Sequence, residues 1–242
     1  MSVSTSQNPS AASPVENRLL AALPGEERKR LLPSLEPVSF SLGDVVYEAG
    51  GRIDHVYFPT DSIISLLYIM ENGATAEIGV AGYEGVVGIA LFMGGETMPN
   101  RAVIQSAGRA LRMGKKALQA EFGRGGMFQS SLLRYTQALM TQISQTAVCN
   151  RLHSVEKQLC RWLLLNHDRL RADKLVMTHD LIANMLGVRR EGVTVAARKL
   201  QERGLISYVR GTITLLDRQG LETEVCECYQ VVKSEYDRLL EQ

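Results

Sequence analysis

Residues 178–200 read THDLIANMLGVRREGVTVAARKL, and this stretch decides the fold. It has the form of two short helices meeting at a tight turn. Helices that cross steeply need a small side chain where their backbones touch, which Ala183 supplies, and the turn needs a residue that tolerates positive φ, which Gly187 supplies. Ile182, Leu186, Val188, Val193 and Ala196 recur at the spacing that seals one helix on the other. Thr178 suits the N-cap of the first helix, and Asp180 suits its positive end. A helix-turn-helix is predicted, its second helix opening near Arg189.

Downstream, residues 200–206 (LQERGLI) end a helix in Gly204, and residues 207–216 (SYVRGTITLL) read as a β-hairpin with a basic turn at Arg210-Gly211. A hairpin in this position is the wing of a winged helix, which carries cations to the sugar-phosphate backbone of DNA. The second helix offers Arg189, Arg190, Glu191, Thr194 and Arg198 outward. Arginine pairs bidentately with guanine and glutamate accepts from the cytosine amino group, provided both sit near the helix N-terminus. Arg190 and Glu191 are therefore assigned to base edges, and Arg189, Arg198, Lys199 and Arg210 to phosphates. Such a charge run is most often a solvated helix face; the surrounding scaffold turns the reading to double-stranded DNA.

Upstream, a helix near Val155 to Arg169 carries Leu159, Trp162, Leu163 and Leu164 on an inward face. A longer one, from about Phe128 to Arg151, has no Pro or Gly inside. Its apolar stripe of Leu132, Leu133, Leu139, Met140, Ile143 and Ala147 fits two uses, a seam between two copies of the chain or a face packed on the neighbouring domain. Earlier still lie short alternating segments such as 37–40 (PVSF), 55–58 (HVYF), 63–68 (IISLLY) and 102–105 (AVIQ), punctuated by Gly-rich turns. These predict an antiparallel roll of about eight strands. Leu19 to Leu35 has helical spacing, and Met1 to about Val15 lacks the apolar periodicity that repays ordering.

The chain thus divides into a disordered tail (1–15), a β-roll sensor (16–125), a dimerisation helix (126–152) and a winged helix-turn-helix domain (153–242). Leu221, Val225, Tyr229, Val232, Tyr236 and Leu239 form an added amphipathic helix in the last of these, expected to pack on the winged domain. The fold class is α+β.

The net charge of +1 conceals an uneven distribution. From Arg151 to Arg218 basic residues exceed acidic ones by about six, while the tail beyond is acidic. Four cysteines, with no secretory signal and no membrane-length apolar run, point to a cytoplasmic protein with reduced thiols. Cys226-Glu-Cys228 has the form of half a metal site or of a redox pair, but no further His/Cys pair lies at ligand spacing around it, and the metal reading is not favoured. Cys149 and Cys160 fall in apolar helical patterns and read as small buried side chains. His55, His153, His167 and His179 each stand alone, so no metal site and no cofactor is expected. No Ser, His and Asp set, glycine-rich phosphate cradle or His-Glu metal motif occurs at a spacing that catalysis requires, which argues against an enzyme.

Residues 187–193 (GVRREGV) resemble the recognition-helix opening of the Crp/Fnr superfamily of bacterial regulators, and residues 40–50 (FSLGDVVYEAG) with 53–58 (IDHVYF) resemble the opening strands of its cyclic-nucleotide-binding-type roll. The resemblance implies a jelly-roll-like N-terminal roll, a long dimerising helix and a winged helix-turn-helix. It implies a homodimer on a palindromic operator, with RNA polymerase as a further partner and no membrane association. This sequence departs from the family pattern in three places. Arg189 and Val195 stand where the family often has Ser and Arg, so the operator is expected to differ from the best-known family palindrome. In the effector pocket, Gly88-Ile89 replaces the Gly-Glu pair that holds a ribose while Arg101 survives near the phosphate position, which leaves the effector unknown and argues against cyclic AMP. No cysteine precedes Cys149, so the family's N-terminal iron-sulfur cluster cannot form. An alternative reading, a ligand-binding module acting through protein contacts, explains the roll but not the basic wing.

Overall fold

A computed structural model describes residues 13–170 and 174–240. The expected disordered tail lies outside the described residues as far as residue 12. Its last part is ordered, because residues 14–16 form a 3-10 turn in which Ser13 and Glu16 cap each other. Asn17 then ties the N-terminus down: buried, it donates to the carbonyls of Pro59 and Gly85, each at 2.9 Å, and caps α1 (Arg18–Ala21). The helical spacing from Leu19 to Leu35 yields two short helices, α1 and α2 (Gly25–Leu31), separated at Pro24, which stands at the N-cap of α2.

Seven strands follow in the described residues, one fewer than expected. They are β1 (Glu36–Phe40), β2 (Val45–Tyr47), β3 (His55–Pro59), β4 (Ile63–Ile69), β5 (Thr75–Ala81), β6 (Arg101–Ser106) and β7 (Gly108–Gly114). They form two antiparallel sheets, ordered β1-β7-β3 and β2-β6-β4-β5. The shortfall lies between Gly82 and Asn100. There the chain makes a 3-10 turn at Ile89–Leu91 and only isolated bridges, Tyr57 to Val87 and Arg52 to Thr97. Gly85 permits this path, since a Cβ there would stand 2.4 Å from the ring of buried Tyr135. The roll encloses Val56, Phe58, Ile64, Ile104 and Met113.

After α3 (Lys115–Gly123), Gly125 and Gly126 take positive φ and turn the chain into α4 (Gly126–Leu152). The stripe expected on this helix divides in two. Leu132 and Leu139 are buried in the chain's own core and Ile143 packs beside Gly79, so these three serve the roll and correct their assignment to a seam between copies. Leu133, Met140 and Ala147 face outward with Val148 and Leu152. Residues 100° apart on a helix cannot share one face through a run as wide as 132–133 and 139–140, which is why one apolar stripe served two surfaces.

Beyond α4 come α5 (Val155–His167), capped by Ser154, then β8 (Lys174–Val176), α6 (His179–Leu186), α7 (Arg190–Glu202), β9 (Ile206–Val209), β10 (Thr212–Leu215), α8 (Arg218–Glu224) and α9 (Glu227–Leu240). β8 joins the hairpin in a third sheet, ordered β8-β10-β9. The last helix corrects a second expectation. α9 touches the winged domain, where Tyr229 bonds Asp168 and Arg218, but its main packing is along α4, where Tyr236 meets Tyr135 edge-on at 6.2 Å and receives a 2.7 Å hydrogen bond from Gln142. No helix among the described residues is long and apolar enough to cross a membrane.

Candidate nucleic-acid interface

The two helices form as the residues require. Thr178 accepts from the Leu181 amide, Gly187 ends α6 at φ +66°, and the Val188 amide donates to the Ala183 carbonyl at 3.0 Å. Ile182, Leu186, Val193 and Ala196 are buried between the helices. Charged residues on the far side of α7 are left in water.

Arg189, at the N-cap of α7, is exposed with Arg190, Glu191, Thr194, Arg198 and Lys199. Their partners differ. Arg190 stands 3.5 Å from Asp180, and Arg198 pairs with Glu202 one turn on at 3.2 Å, both contacts being exposed. Such pairs contribute little and are readily exchanged for a phosphate. Lys199 instead bonds Glu156 of α5 at 3.2 Å, and Arg203 bonds the same carboxylate at 2.9 Å, so Lys199 braces α7 on α5. The wing tip is Arg210-Gly211, with φ +49° and +79°, the turn that fits the twist of a two-residue hairpin.

His179, which looks isolated in the sequence, organises this face. Its ring stacks on Tyr208 of the wing at 4.2 Å, and its Nδ1 lies 3.0 Å from the Thr194 hydroxyl. That hydroxyl donates to the Arg190 carbonyl at 3.1 Å, so it accepts from a neutral imidazole protonated at Nδ1. Burial and then Arg190 hold the His179 pKa below its ordinary value. One histidine thus links α6, α7 and the wing, and Thr194 is engaged within the protein. The link joins residues 15 and 29 positions apart in sequence, and nothing local signals it.

The opposite side of this half meets the roll. Trp162 of α5 donates to Glu77 Oε1 at 3.0 Å, Gln105 donates to Asn166 at 2.7 Å, and Asn166 donates to the Trp162 carbonyl at 2.8 Å. The Ser65 hydroxyl closes the circuit, 2.5 Å from Glu77 Oε2 and 2.6 Å from Gln105 Oε1. Its single hydrogen is shared between two acceptors, the Glu77 carboxyl and the Gln105 carbonyl. Burial pushes Glu77 up to about 7, against the lowering effect of its hydrogen bonds. Alongside, buried Arg169 holds buried Glu84 at 2.7 Å, and Thr75 of β5 donates to the Asn184 carbonyl of α6 at 3.4 Å.

In the expected effector region, Gly88 takes φ +98° where a Cβ would strike the His55 carbonyl at 2.8 Å, and Ile89 packs on the core. Arg101 pairs with Glu48 at 3.0 Å. No carboxylate is contributed at Ile89, as the sequence indicates.

The cysteines are the clearest departure from expectation. Cys226 and Cys228 do have partners: the ligand atoms of Cys149, His153, Cys226 and Cys228 all lie within 4.8 Å of one another. The pairs are separated by more than 70 positions in sequence, so a search for nearby ligands could not find them.

A roll, a long helix and a helix-turn-helix with a basic wing define a two-domain DNA-binding regulator. Two family models match in that order, the Cyclic nucleotide-binding domain over residues 37–141 and the Crp-like helix-turn-helix domain over residues 157–224. The chain belongs to the Crp/Fnr family of transcriptional regulators. No curated protein matches its sequence. Among solved structures, FixK2 from Bradyrhizobium japonicum is similar at 16% identity and a TM-score of 0.69, covering 79% of this chain and 98% of that one. A CRP/FNR-family transcriptional regulator from Thermus thermophilus shows 22% identity and a TM-score of 0.60, covering 81% and 98%. The c-di-GMP-responsive regulator CLP of Xanthomonas campestris shows 15% identity and a TM-score of 0.61, covering 80% and 100%. No catalytic family is indicated.

Proposed function

We propose that the chain acts in the cytoplasm as a homodimer that reads a palindromic operator, the α7 helices of the two protomers entering major grooves about one DNA turn apart, roughly 34 Å. The supporting observation is the outward face of α7: Arg189, Arg190, Glu191 and Arg198 are exposed, with Arg210 at the tip of the adjoining hairpin. In this reading Arg190 and Glu191 meet base edges, while Arg189, Arg198 and Arg210 meet phosphates. Lys199 contributes mainly by holding α7 to Glu156. The second protomer seats against Leu133, Met140 and Ala147, a heptad-spaced line on α4 that continues into Val148 and Leu152.

The roll carries the signal. Gly88, Ile89 and Arg101 border its effector region, and the apolar Ile89 with Arg101 already paired to Glu48 favours an effector other than cyclic AMP. RNA polymerase is the partner through which a promoter-bound dimer acts. Selection of tight-binding duplexes from a random pool tests the reading directly. Recovery of an inverted repeat with half-sites about 10–11 base pairs apart supports it, and a pool without a repeat, or one chain per bound site in sedimentation, overturns it.

A further inference from the structure

Four side chains outside the DNA-binding face converge on the elbow between α4 and α5. Cys149 lies in the last turn of α4 and His153 is its C-cap; Cys226 lies in the link between α8 and α9, and Cys228 in the first turn of α9. Cys149 Sγ is 3.6 Å from Cys226 Sγ, and Cys228 Sγ is 3.6 Å from His153 Nδ1. A tetrahedral ion with metal-sulfur bonds of about 2.3 Å and metal-nitrogen bonds of about 2.05 Å separates its ligand atoms by roughly 3.5–3.8 Å. Two of the six edges, Cys149–Cys226 and Cys228–His153, have that length, and the others lie within 4.8 Å. An iron-sulfide cluster spreads its cysteine sulfurs farther apart than a single ion does, so the spacing points to one ion.

Two further observations fit a coordination site. His153 presents Nδ1 to the thiols while its Nε2 lies 3.5 Å from the Glu227 carboxylate, the arrangement that orients a metal-bound imidazole. All three thiols are buried and free, and buried Arg161, bonded to Thr146 one turn before Cys149, brings positive charge beside them. Three thiolates with one divalent ion carry a net negative charge that this guanidinium offsets.

We infer that Cys149, His153, Cys226 and Cys228 bind a thiophilic divalent cation of the zinc class in a closed Cys3His tetrahedron. Four protein ligands leave no position open, so the site is structural, not catalytic. Its place gives it a purpose. The chain passes from His153 directly into Ser154, the N-cap of α5, and α5 leads to the helix-turn-helix. The ion pins α8 and α9 to this elbow and fixes the angle at which the DNA-binding half leaves the long helix. Removing the ion frees that angle.

The test uses the full chain, reduced and freed of metal with a chelator, then titrated with Co2+. The expected result is one ion per chain with the intense visible bands of tetrahedral cobalt thiolate, bleached by Zn2+. Cys228→Ser should weaken cobalt binding by at least about tenfold and reduce the sulfur-to-cobalt charge transfer, and Glu227→Gln should weaken it about tenfold with the bands retained. Should a serine variant misfold, His153→Cys keeps four ligands and should bind with stronger charge transfer. In the unaltered protein Zn2+ should also slow alkylation of Cys149, Cys226 and Cys228 relative to the metal-free chain. The inference is overturned by a pale six-coordinate cobalt spectrum, by iron with labile sulfide in place of a single ion, or by alkylation indifferent to Zn2+.

Discussion

The DNA-binding half has two polar faces built on opposite rules. Towards the roll, Glu77, Ser65, Gln105, Asn166 and Trp162 form a closed circuit of hydrogen bonds, and Glu84 with Arg169 forms a buried ion pair. Towards solvent, Arg190 and Arg198 keep only loose, exposed partners. Buried polar groups are costly unless each finds its mate, so the inner face admits one relative placement of the two halves. Exposed cations cost little to release, and they retain the capacity to pair with an incoming polyanion. The inner face therefore sets geometry, and in the proposed reading the outer face supplies affinity.

The sharpest way to break this contrast is at Arg169. Arg169→Ala leaves the Glu84 carboxylate buried without its partner and removes the guanidinium that lies 5.3 Å over the Tyr236 ring. Unfolding in denaturant should show a loss of roughly 3–5 kcal/mol. Replacing both members, Glu84→Leu with Arg169→Met, should recover most of it, since no orphaned charge remains. If the single change costs no more than a surface pair does, the inner face is not the rigid one.

Glu77→Gln probes the circuit itself. The folded chain raises the Glu77 pKa from 4.5 to about 7 through burial, so folding favours the neutral acid. That contribution is fully present below pH 4.5, is lost as the pH rises through about 7, and amounts to roughly 3 kcal/mol across the window. Glutamine can donate to Ser65 and accept from Trp162 without titrating. Its stability relative to the parent should therefore climb from about pH 5 to about pH 8 and then level off; a difference independent of pH would mean that Glu77 is ionised throughout.

On the outer face the effect is smaller and of another kind. Arg190→Ala should leave the unfolding midpoint unchanged and cost about 1–3 kcal/mol of specific operator affinity, measured by fluorescence anisotropy against random duplex at the same salt concentration. Equal losses on operator and random DNA would move Arg190 from base edge to phosphate.

The outer face is the legible one. Ala183, Gly187 and the apolar spacing of α6 and α7 are local requirements, each tied to a turn or crossing within a short span of chain, so the sequence displays them directly. The hairpin is equally plain from Arg210-Gly211. The inner face and the thiol cluster are not, because their members come from β4, β5, β6 and α5, or from the end of α4, the α8–α9 link and α9, and only the fold assembles them. Cys149 reads as a small apolar residue and it is buried, yet burial beside three other ligands is a different circumstance from burial among aliphatic chains. The stripe on α4 fails for another reason. Apolar residues next to one another in sequence point some 100° apart on a helix, so Leu132 and Leu133 announce two surfaces that periodicity alone merges into one.

Arg210 separates the two rules within a single residue. It takes φ +49° at the wing tip, a conformation that disfavours any side chain with a Cβ by about 1 kcal/mol, and it stands among the exposed residues of the hairpin. Glycine adopts the same turn without that penalty. Arg210→Gly should therefore raise stability slightly, by about 1 kcal/mol at most, while weakening binding to operator and random duplex alike and lowering the salt slope of binding by about one counterion. The opposite signs are the point of the experiment: a strained cation at the wing tip is disfavoured by the fold in isolation and, in the proposed reading, favoured by a DNA phosphate. A variant that loses stability and keeps its salt slope would show that Arg210 is held there by the protein and not for the DNA.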